Sequence, residues 1–308
     1  MKKFLLYSLV VLVGLMTFAT LFFTVRQFIA KAQVAGEGQV APASAPSLET
    51  TTRLEIIPLY EEASADESFD FGHGVSYLIR TDSATILMDL GNNPAETTHL
   101  PALQNMQTLD ILWEEIDAIV ISHPHPDHVG GVKAWQEDTL SFGDSTGDIS
   151  QMSIYVPASI TYSGTTLIQS SEPNLVSKDI ATTGVISYAE VFPISLFSAK
   201  GYEQGLVIHV AGQGLVMITG CGHPTMEKLV ERAETLFGKQ VVGVVGGLHY
   251  EKVSAEDVQP HIQFLEPRQP KLIALSPHDS SAAALEAFQS AFPDAYQSIR
   301  VGEAIQFP

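Results

Sequence analysis

The chain has 308 residues, enough for one large domain or two small ones, and enough to bury a sizeable core. Its single cysteine, Cys221, excludes an intrachain disulfide framework. The 35 acidic and 16 basic residues give a formal net charge of -19, which argues against a nucleic-acid-binding surface because such a surface needs a basic stripe. An anionic partner would have to be bound by metal ions or local dipoles.

The first predicted element is an uncharged apolar segment, residues 4–25, which reads FLLYSLVVLVGLMTFATLFFTV. A helix of that length spans about 33 Å, close to the thickness of the hydrocarbon core of a bilayer. Two lysines precede the segment and favour a cytoplasmic N-terminus, whereas Arg26 and Lys31 follow it and weaken that assignment. We interpret residues 1–32 as a membrane anchor that leaves the rest of the chain extracytoplasmic.

A cleaved secretory signal is the alternative for this segment. Ala30-Lys31-Ala32 has the small-x-small form of a cleavage site, and cleavage there would release a secreted protein. The apolar run is longer than the roughly 7–15 residues usual in a signal peptide, which favours the uncleaved anchor. Residues 33–52 are rich in Ala, Pro, Ser, Gly and Thr without a hydrophobic period, and are predicted to be a flexible linker.

The body of the chain, residues 53–308, alternates short apolar runs with amphipathic segments. The predicted strands are 54–60, 75–80, 84–90, 117–122, 154–158, 205–210, 214–219, 241–247, 271–276 and 301–307. The predicted helices are 94–109, 132–136, 225–237, 254–265 and 281–292. Many strands with a few helices indicate an α/β domain in which sheets pack face to face with helices outside.

Ligand-type side chains are concentrated in ISHPHPDHVG, residues 121–130, directly after a predicted buried strand. Imidazole and carboxylate ligands suit zinc and its neighbours in the first transition row. One metal ion cannot easily use His123, His125, Asp127 and His128 together, whereas two ions about 3.5–4 Å apart could, with a hydroxide between them. The segment therefore predicts a site for two divalent metal ions, zinc in the first place and manganese or iron as alternatives.

The pattern H-x-H-x-D-H after a short strand resembles the signature of the metallo-β-lactamase superfamily. That resemblance implies a four-layer αββα fold for residues 53–308. Further segments occur in the order found in one branch, the group similar to the dihydropterin-methyl-aminobenzene-ribofuranosyl phosphate synthases. These segments are HGVSYLIRTDSATILMDLGNN (73–93), SHPHPDHVGG (122–131), TGCGHP (219–224), GGLHY (246–250) and SPHDS (276–280).

The resemblance also implies further site residues. His278 stands after a late strand, where the superfamily has its last metal histidine. Many hydrolases of the superfamily have a metal-bridging Asp in a T-G-D motif, but here the motif is Thr219-Gly220-Cys221, as in the synthase-like branch. We expect His223 to supply the missing histidine ligand, with Cys221 as the second choice. Asp89, at the end of a predicted strand, is expected to orient a metal histidine.

The expected function is metal-dependent hydrolysis of a small ester, lactone, thioester or phosphate, in which the metals lower the pKa of a bound water and hold the hydroxide for attack. Asp127 would bind metal and orient the nucleophile, and His249 would donate a proton to the leaving group or oxyanion. His249 could instead be a loop histidine, and His73 has either a substrate-facing or a turn role.

Two other classes of protein fit the same residues. A redox enzyme would hold iron or manganese in the same ligand set, and a membrane-tethered binding protein would use the metal without turnover. The expected partners are a small-molecule substrate and, through the N-terminal helix, the membrane; no nucleic acid is expected.

Overall fold

The computed structural model describes residues 2–37, 45–144, 149–150, 152–169, 171–191 and 194–308. The chain divides into two compact units. The smaller unit comprises Met1–Ala41 and Ser187–Gly201, and the larger comprises Pro42–Ile186 and Tyr202–Pro308.

The regular structure of the described residues consists of α-helices, β-strands and short 3-10 turns. The helices are α1 (Lys2–Glu37), α2 (Pro101–Thr108), α3 (Val132–Gln136), α4 (Met226–Phe237), α5 (Gln259–Leu265) and α6 (Ala282–Ala291). The strands are β1 (Glu55–Tyr60), β2 (Ser76–Arg80), β3 (Thr85–Met88), β4 (Ala118–Val120), β5 (Ser153–Val156), β6 (Thr166–Gln169), β7 (Leu175–Ser177), β8 (Ile180–Thr182), β9 (Ile186–Ala189), β10 (Lys200–Glu203), β11 (Leu206–Val210), β12 (Gly214–Thr219), β13 (Val241–Gly246), β14 (Leu272–Leu275) and β15 (Ile305–Gln306).

Two mixed sheets form the centre of the larger unit. The seven-stranded sheet has the order β15-β1-β2-β3-β4-β5-β6, and the six-stranded sheet has the order β14-β13-β12-β11-β8-β7. Strands β3 to β6 run parallel to one another, as do β12 to β14, whereas β1 to β3 and β11 to β12 are antiparallel. Strands β9 and β10 pair separately.

The larger unit has three hydrophobic cores, and successive side chains along a strand belong to different ones. Along β11, Ile208 packs into the core that both sheets share, and its neighbour Val207 packs into the core that contains residues of α4, α5 and α6. Along β1, Ile56 faces the shared core, and Ile57 faces the core that contains residues of α2 and α3. Because successive strand residues point to opposite faces, this pattern produces helix, sheet, sheet and helix layers. The predicted four-layer αββα fold is confirmed.

The parallel strands bring distant loops to one place. The carboxyl ends of β3 and β4 meet at one edge of the seven-stranded sheet, and those of β12, β13 and β14 meet at one edge of the other sheet. All five strands end directly before a segment that the sequence analysis singled out. Such an edge is where α/β folds assemble ligand sites.

Two predicted helices begin later than expected. The helix predicted from residue 94 begins at Pro101, where Leu100 is extended (φ -76°, ψ 124°) because proline disfavours the helical conformation of the residue before it. In the second case the capping hydrogen bonds between Ser254 and Asp257 form, yet α5 begins only at Gln259. The strands β6 to β10 were not predicted; β6 and β7, for instance, are largely solvent-accessible and lack an apolar run.

The N-terminal boundaries also differ from the prediction. Helix α1 continues to Glu37 rather than ending at residue 32, and its part from Tyr7 onward is long and apolar enough to cross a membrane. The linker predicted over 33–52 is wrong at its C-terminal end, because Thr51 bonds to the backbone of His209 in the larger unit. Residues 38–44 of that linker lie outside the described residues. The segment Ser187–Gly201, predicted as part of the enzyme domain, groups with α1.

Candidate metal centre

All seven predicted metal ligands lie in two adjacent groups. His123, His125 and His223 form the first group, and the second consists of the four donors that remain: Asp127, His128, Cys221 and His278. Within each group, one donor atom per residue lies within 4.8 Å of the others. His223 and Cys221, which the sequence offered as alternatives for one position, therefore occupy different groups.

The turn after β4 presents four of these donors because the backbone is closely constrained there. His125 accepts hydrogen bonds from the backbone N–H groups of His128 and Val129, at 3.0 and 3.1 Å. Gly130 follows with φ +91°, and a Cβ at this position would lie 2.3 Å from the carbonyl oxygen of Ser141. Only glycine fits both the conformation and the space, so the turn packs tightly against its neighbours.

Asp89 is buried beside the turn and orients two histidine rings. It engages His128 directly and His123 through Ser122, at Nδ1 in both cases. Its carboxylate accepts hydrogen bonds from the backbone N–H (2.7 Å) and hydroxyl (2.6 Å) of Ser122, and it contacts His128 Nδ1 at 2.8 Å. Since the hydroxyl proton of Ser122 points to Asp89, Ser122 Oγ accepts from His123 Nδ1 at 2.9 Å. His123 therefore directs an unprotonated Nε2 at the donor groups, and the contact with Asp89 turns His128 Nε2 toward them, as the role predicted for Asp89 requires.

Glu61 orients His278 through a serine hydroxyl, as Asp89 orients His123. Glu61 was not predicted from the sequence. This buried carboxylate follows β1 and accepts hydrogen bonds from the hydroxyls of Tyr77 and Ser276. Ser276 Oγ also contacts His278 Nδ1, so His278 presents its Nε2 to Cys221 Sγ at 3.2 Å. Two features of the sequence could have indicated this arrangement: Glu61 directly follows an apolar strand, and Ser276 lies two residues before the predicted ligand His278.

The protonation of these groups fits a metal site. Burial, together with neighbouring imidazoles, lowers the pKa of His123, His223 and His278 well below the usual range. These rings are therefore neutral near pH 7, which is the form that binds metal. Burial raises the pKa of the Cys221 thiol, so a bound cation would be needed to keep the thiolate. Imidazole nitrogen, carboxylate oxygen and sulfur form a donor set that fits a divalent transition metal.

Two further buried carboxylates fix the loops that carry the donors, and the sequence analysis did not identify them as site residues. Glu203 accepts from the backbone N–H groups of Gly222 (2.9 Å) and His223 (2.8 Å), and burial raises its pKa to about 7. Asp279 accepts from the backbone N–H of His249 at 2.9 Å, and burial raises its pKa well above the usual range. Both loops are thus held by hydrogen bonds to the backbone.

Two exposed histidines flank the donor groups. The His249 ring lies 4.7 Å from the ring of His223 in the first group. The His73 ring lies 5.2 Å from that of His278 in the second group, and its Nε2 is 3.6 Å from a carboxylate oxygen of Asp127. The proton-donor role of His249 and the substrate-facing role of His73 therefore stay predictions, and both rings lie beside the donor groups.

Metal content provides the first test of the two groups. We expect about two divalent ions per chain by plasma mass spectrometry, because each group offers at least three donors. His223→Ala and His278→Ala should each lose about one ion, whereas His209→Ala, on β11 away from both groups, should retain both. A chain that binds no metal, even after reconstitution, would contradict the assignment.

The Glu61–Ser276–His278 chain predicts an effect without any direct contact to metal. Ser276→Ala frees the His278 ring to rotate or change tautomer, so we expect a loss of affinity of about 10–100-fold for one of two ions. Competition with a chromophoric chelator would measure the two affinities. Ser68→Ala, at an exposed position, is the matched control. Equal affinities in the two variants would exclude an orienting role for Ser276.

Comparison with known proteins agrees with the fold and the motif. Residues 69–139 match the family model described as "Metallo-beta-lactamase superfamily". A 7,8-dihydropterin-6-methyl-4-(beta-D-ribofuranosyl)-aminobenzene-5'-phosphate synthase of Methanocaldococcus jannaschii is 27% identical over 289 residues, covering 82% of this chain and 97% of that protein.

Two solved structures share the architecture. A metal-dependent hydrolase of the beta-lactamase superfamily superposes with a TM-score of 0.60 at 19% identity, covering 82% of this chain and 98% of its own. The metallo-beta-lactamase fold protein YhfI from Bacillus subtilis gives a TM-score of 0.52 at 13% identity, covering 83% and 99%. The matched residues 69–139 include Asp89 and the histidine-rich turn, and the chain has the fold of these two metallo-β-lactamase-like structures.

Proposed function

We propose that the chain is a metal-dependent hydrolase with a dinuclear site, acting on a small ester, lactone, thioester or phosphate. One observation carries this proposal: seven donor side chains from three loops converge in two groups. Hydrogen bonds to Nδ1 turn the Nε2 atoms of His123, His128 and His278 toward those groups. A solvated polar loop would have no need of buried carboxylates that orient its rings.

Divalent ions held by the two groups would supply activation of water and polarisation of the scissile carbonyl or phosphoryl group. Asp127 is a member of the second group. Burial alone would raise its pKa, but the charge of the neighbouring His128 and its hydrogen bond lower the pKa of Asp127 below the usual range. Asp127 is therefore an ionised carboxylate near pH 7, able to bind a cation and to accept a hydrogen bond from the attacking water.

His249 and His73, the two exposed histidines beside the donor groups, act on the substrate. His249, beside the first group, donates a proton to the leaving group or the developing oxyanion. His73, beside the second group, hydrogen-bonds the bound substrate. The donor set favours zinc, because the Cys221 sulfur is softer than the carboxylate common at that position. Manganese or iron would indicate the redox alternative.

Group transfer is the second candidate function. The relative from Methanocaldococcus jannaschii, which this chain covers over 97% of its length, is named a phosphate synthase. The present chain shares its Cys221 motif with the branch that resembles such synthases. A transferase would use the same donor groups but would deliver the substrate to an acceptor other than water.

We also propose that α1 remains attached as a membrane anchor with the larger unit extracytoplasmic. The helix continues through Ala30-Lys31-Ala32, and Ala30 is buried. Proteolysis concentrates on exposed flexible segments, so this site is a poor substrate for cleavage. The two lysines before the apolar stretch support a cytoplasmic N-terminus.

Activity should depend on Asp127. We expect Asp127→Ala to reduce turnover of the best substrate, among esters, lactones, thioesters and phosphates, by at least about a thousandfold, because the carboxylate serves both metal and water. Asp294→Ala, at an exposed position, should leave turnover unchanged. Products formed in ¹⁸O-labelled water should carry the label. Turnover without label would favour transfer, and ligand binding without turnover would favour the binding protein.

The role of His249 predicts a change in the pH profile. A general acid must be protonated, so kcat should fall as pH rises through its pKa, and His249→Asn should lose that limb together with about 10²–10⁴-fold in kcat. Asparagine is the suitable replacement because position 249 has φ +60°, which asparagine tolerates. A variant that retains the wild-type profile would exclude proton donation by His249.

A further inference from the structure

The segment Ser187–Gly201, here called the insert, exposes apolar side chains in the smaller unit. The sequence from Val191 to Phe197 is VFPISLF, in which only Ser195 is polar, and Ser195 is buried. Three large apolar side chains of the insert are exposed to substantial fractions: Val191 50%, Leu196 40% and Phe197 71%. Soluble surfaces seldom concentrate exposed apolar groups in so short a segment without a partner.

Specific hydrogen bonds attach the insert to helix α1. The Arg26 guanidinium donates to the carbonyl oxygens of Leu196 (3.3 Å) and Phe197 (3.4 Å). Gln27 Nε2 donates to the carbonyl oxygen of Glu190 at 2.7 Å. The insert also contacts the C-terminal end of α1, where Lys200 Nζ pairs with the Glu37 carboxylate at 2.6 Å. The apolar turn of the insert therefore lies at the level of Arg26.

That level is the end of the membrane-spanning stretch. A hydrocarbon core of about 30 Å takes about 20 helical residues. Counted from Phe4, directly after the two lysines, the core ends close to Arg26. Beyond it, Phe28 is 72% exposed, so the apolar surface of α1 continues past Arg26. An apolar groove beside the insert is lined by α1 residues from Phe18 to Gln33 and by Ala199.

The charge of the smaller unit suits the same surroundings. It contains five basic residues (Lys2, Lys3, Arg26, Lys31, Lys200) and two acidic ones (Glu37, Glu190), a net charge of +3. The rest of the chain therefore carries -19 minus 3, which is -22. Lys2 and Lys3 precede the apolar stretch, so the end of the unit that carries the insert has the other three basic residues against two acidic ones, a net charge of +1. This basic end suits the headgroup region better than the acidic remainder does.

We propose that the exposed turn of the insert, with Leu196 and Phe197 at its tip, embeds at the boundary between headgroups and acyl chains of the bilayer that α1 spans. The inference rests on the membrane span proposed for α1. A lipid surface, rather than a protein, is the occupant because the exposed turn is continuous with the helix surface that faces lipid. Apolar side chains there enter the boundary, while the Arg26 head bonds to the backbone carbonyls of the turn.

Depth-dependent fluorescence quenching tests this placement in the full-length chain. The Phe197→Trp variant would be reconstituted in phosphatidylcholine vesicles brominated either near the headgroup or near the acyl-chain end, and the wild-type signal of its two tryptophans subtracted. We expect stronger quenching by the shallow bromines than by the deep ones, with a blue-shifted emission. Phe18→Trp, on the helix, should be quenched by the deep bromines, and Leu112→Trp, exposed in the larger unit, by neither.

The controls separate the two possible failures. If Phe18→Trp is quenched but Phe197→Trp is quenched no more than Leu112→Trp, the insert lies outside the bilayer and the inference is overturned while the span stands. Concentration-dependent dimerisation in that case would identify a second copy of the chain as the occupant. If Phe18→Trp is not quenched either, the membrane span fails and the inference fails with it.

Discussion

Four carboxylates are buried around the two donor groups, and the negative charge that they place there is the constraint on which the rest of the site depends. Asp89, Glu61, Glu203 and Asp279 are each at most 1% exposed. A buried carboxylate is costly unless it is hydrogen-bonded and its charge is balanced. Each of the four carboxylates accepts hydrogen bonds, yet burial still raises the pKa of Glu61 and Glu203 to about 7. Divalent cations in the donor groups would supply the balancing charge.

The carboxylates also couple the metal site to the packing of the two sheets. Asp89 and Ser122 follow neighbouring strands of the seven-stranded sheet, so their hydrogen bonds depend on the register of β3 and β4. Glu61 follows β1 of that sheet, but Ser276 follows β14 of the other. The bond between Glu61 and Ser276 therefore spans the sandwich, and the orientation of His278 depends on how the sheets pack.

Cys221 makes the second donor group chemically different from the first. Three imidazoles form the first group, whereas the second combines a carboxylate, two imidazoles and a thiol. A softer group beside a harder one favours different affinities for the two ions. The exposed rings of His73 and His249 lie beside the second and the first group, respectively. Under the proposed function, hydrolysis and transfer would use these same groups and differ in the acceptor.

The amino-acid sequence alone determined those features that depend on neighbours in the chain. The histidine-rich turn after β4 was predictable because its donors are contiguous, and apolar runs located most of the strands of both sheets. His278 and Asp89 were predictable only through resemblance to a family. Only the tertiary structure decided how Cys221 and His223 divide between the groups, since that depends on the path of one loop past two others. It alone revealed Glu61, Glu203 and Asp279, because the burial of a carboxylate is decided by side chains far away in sequence, as Ser276 is from Glu61.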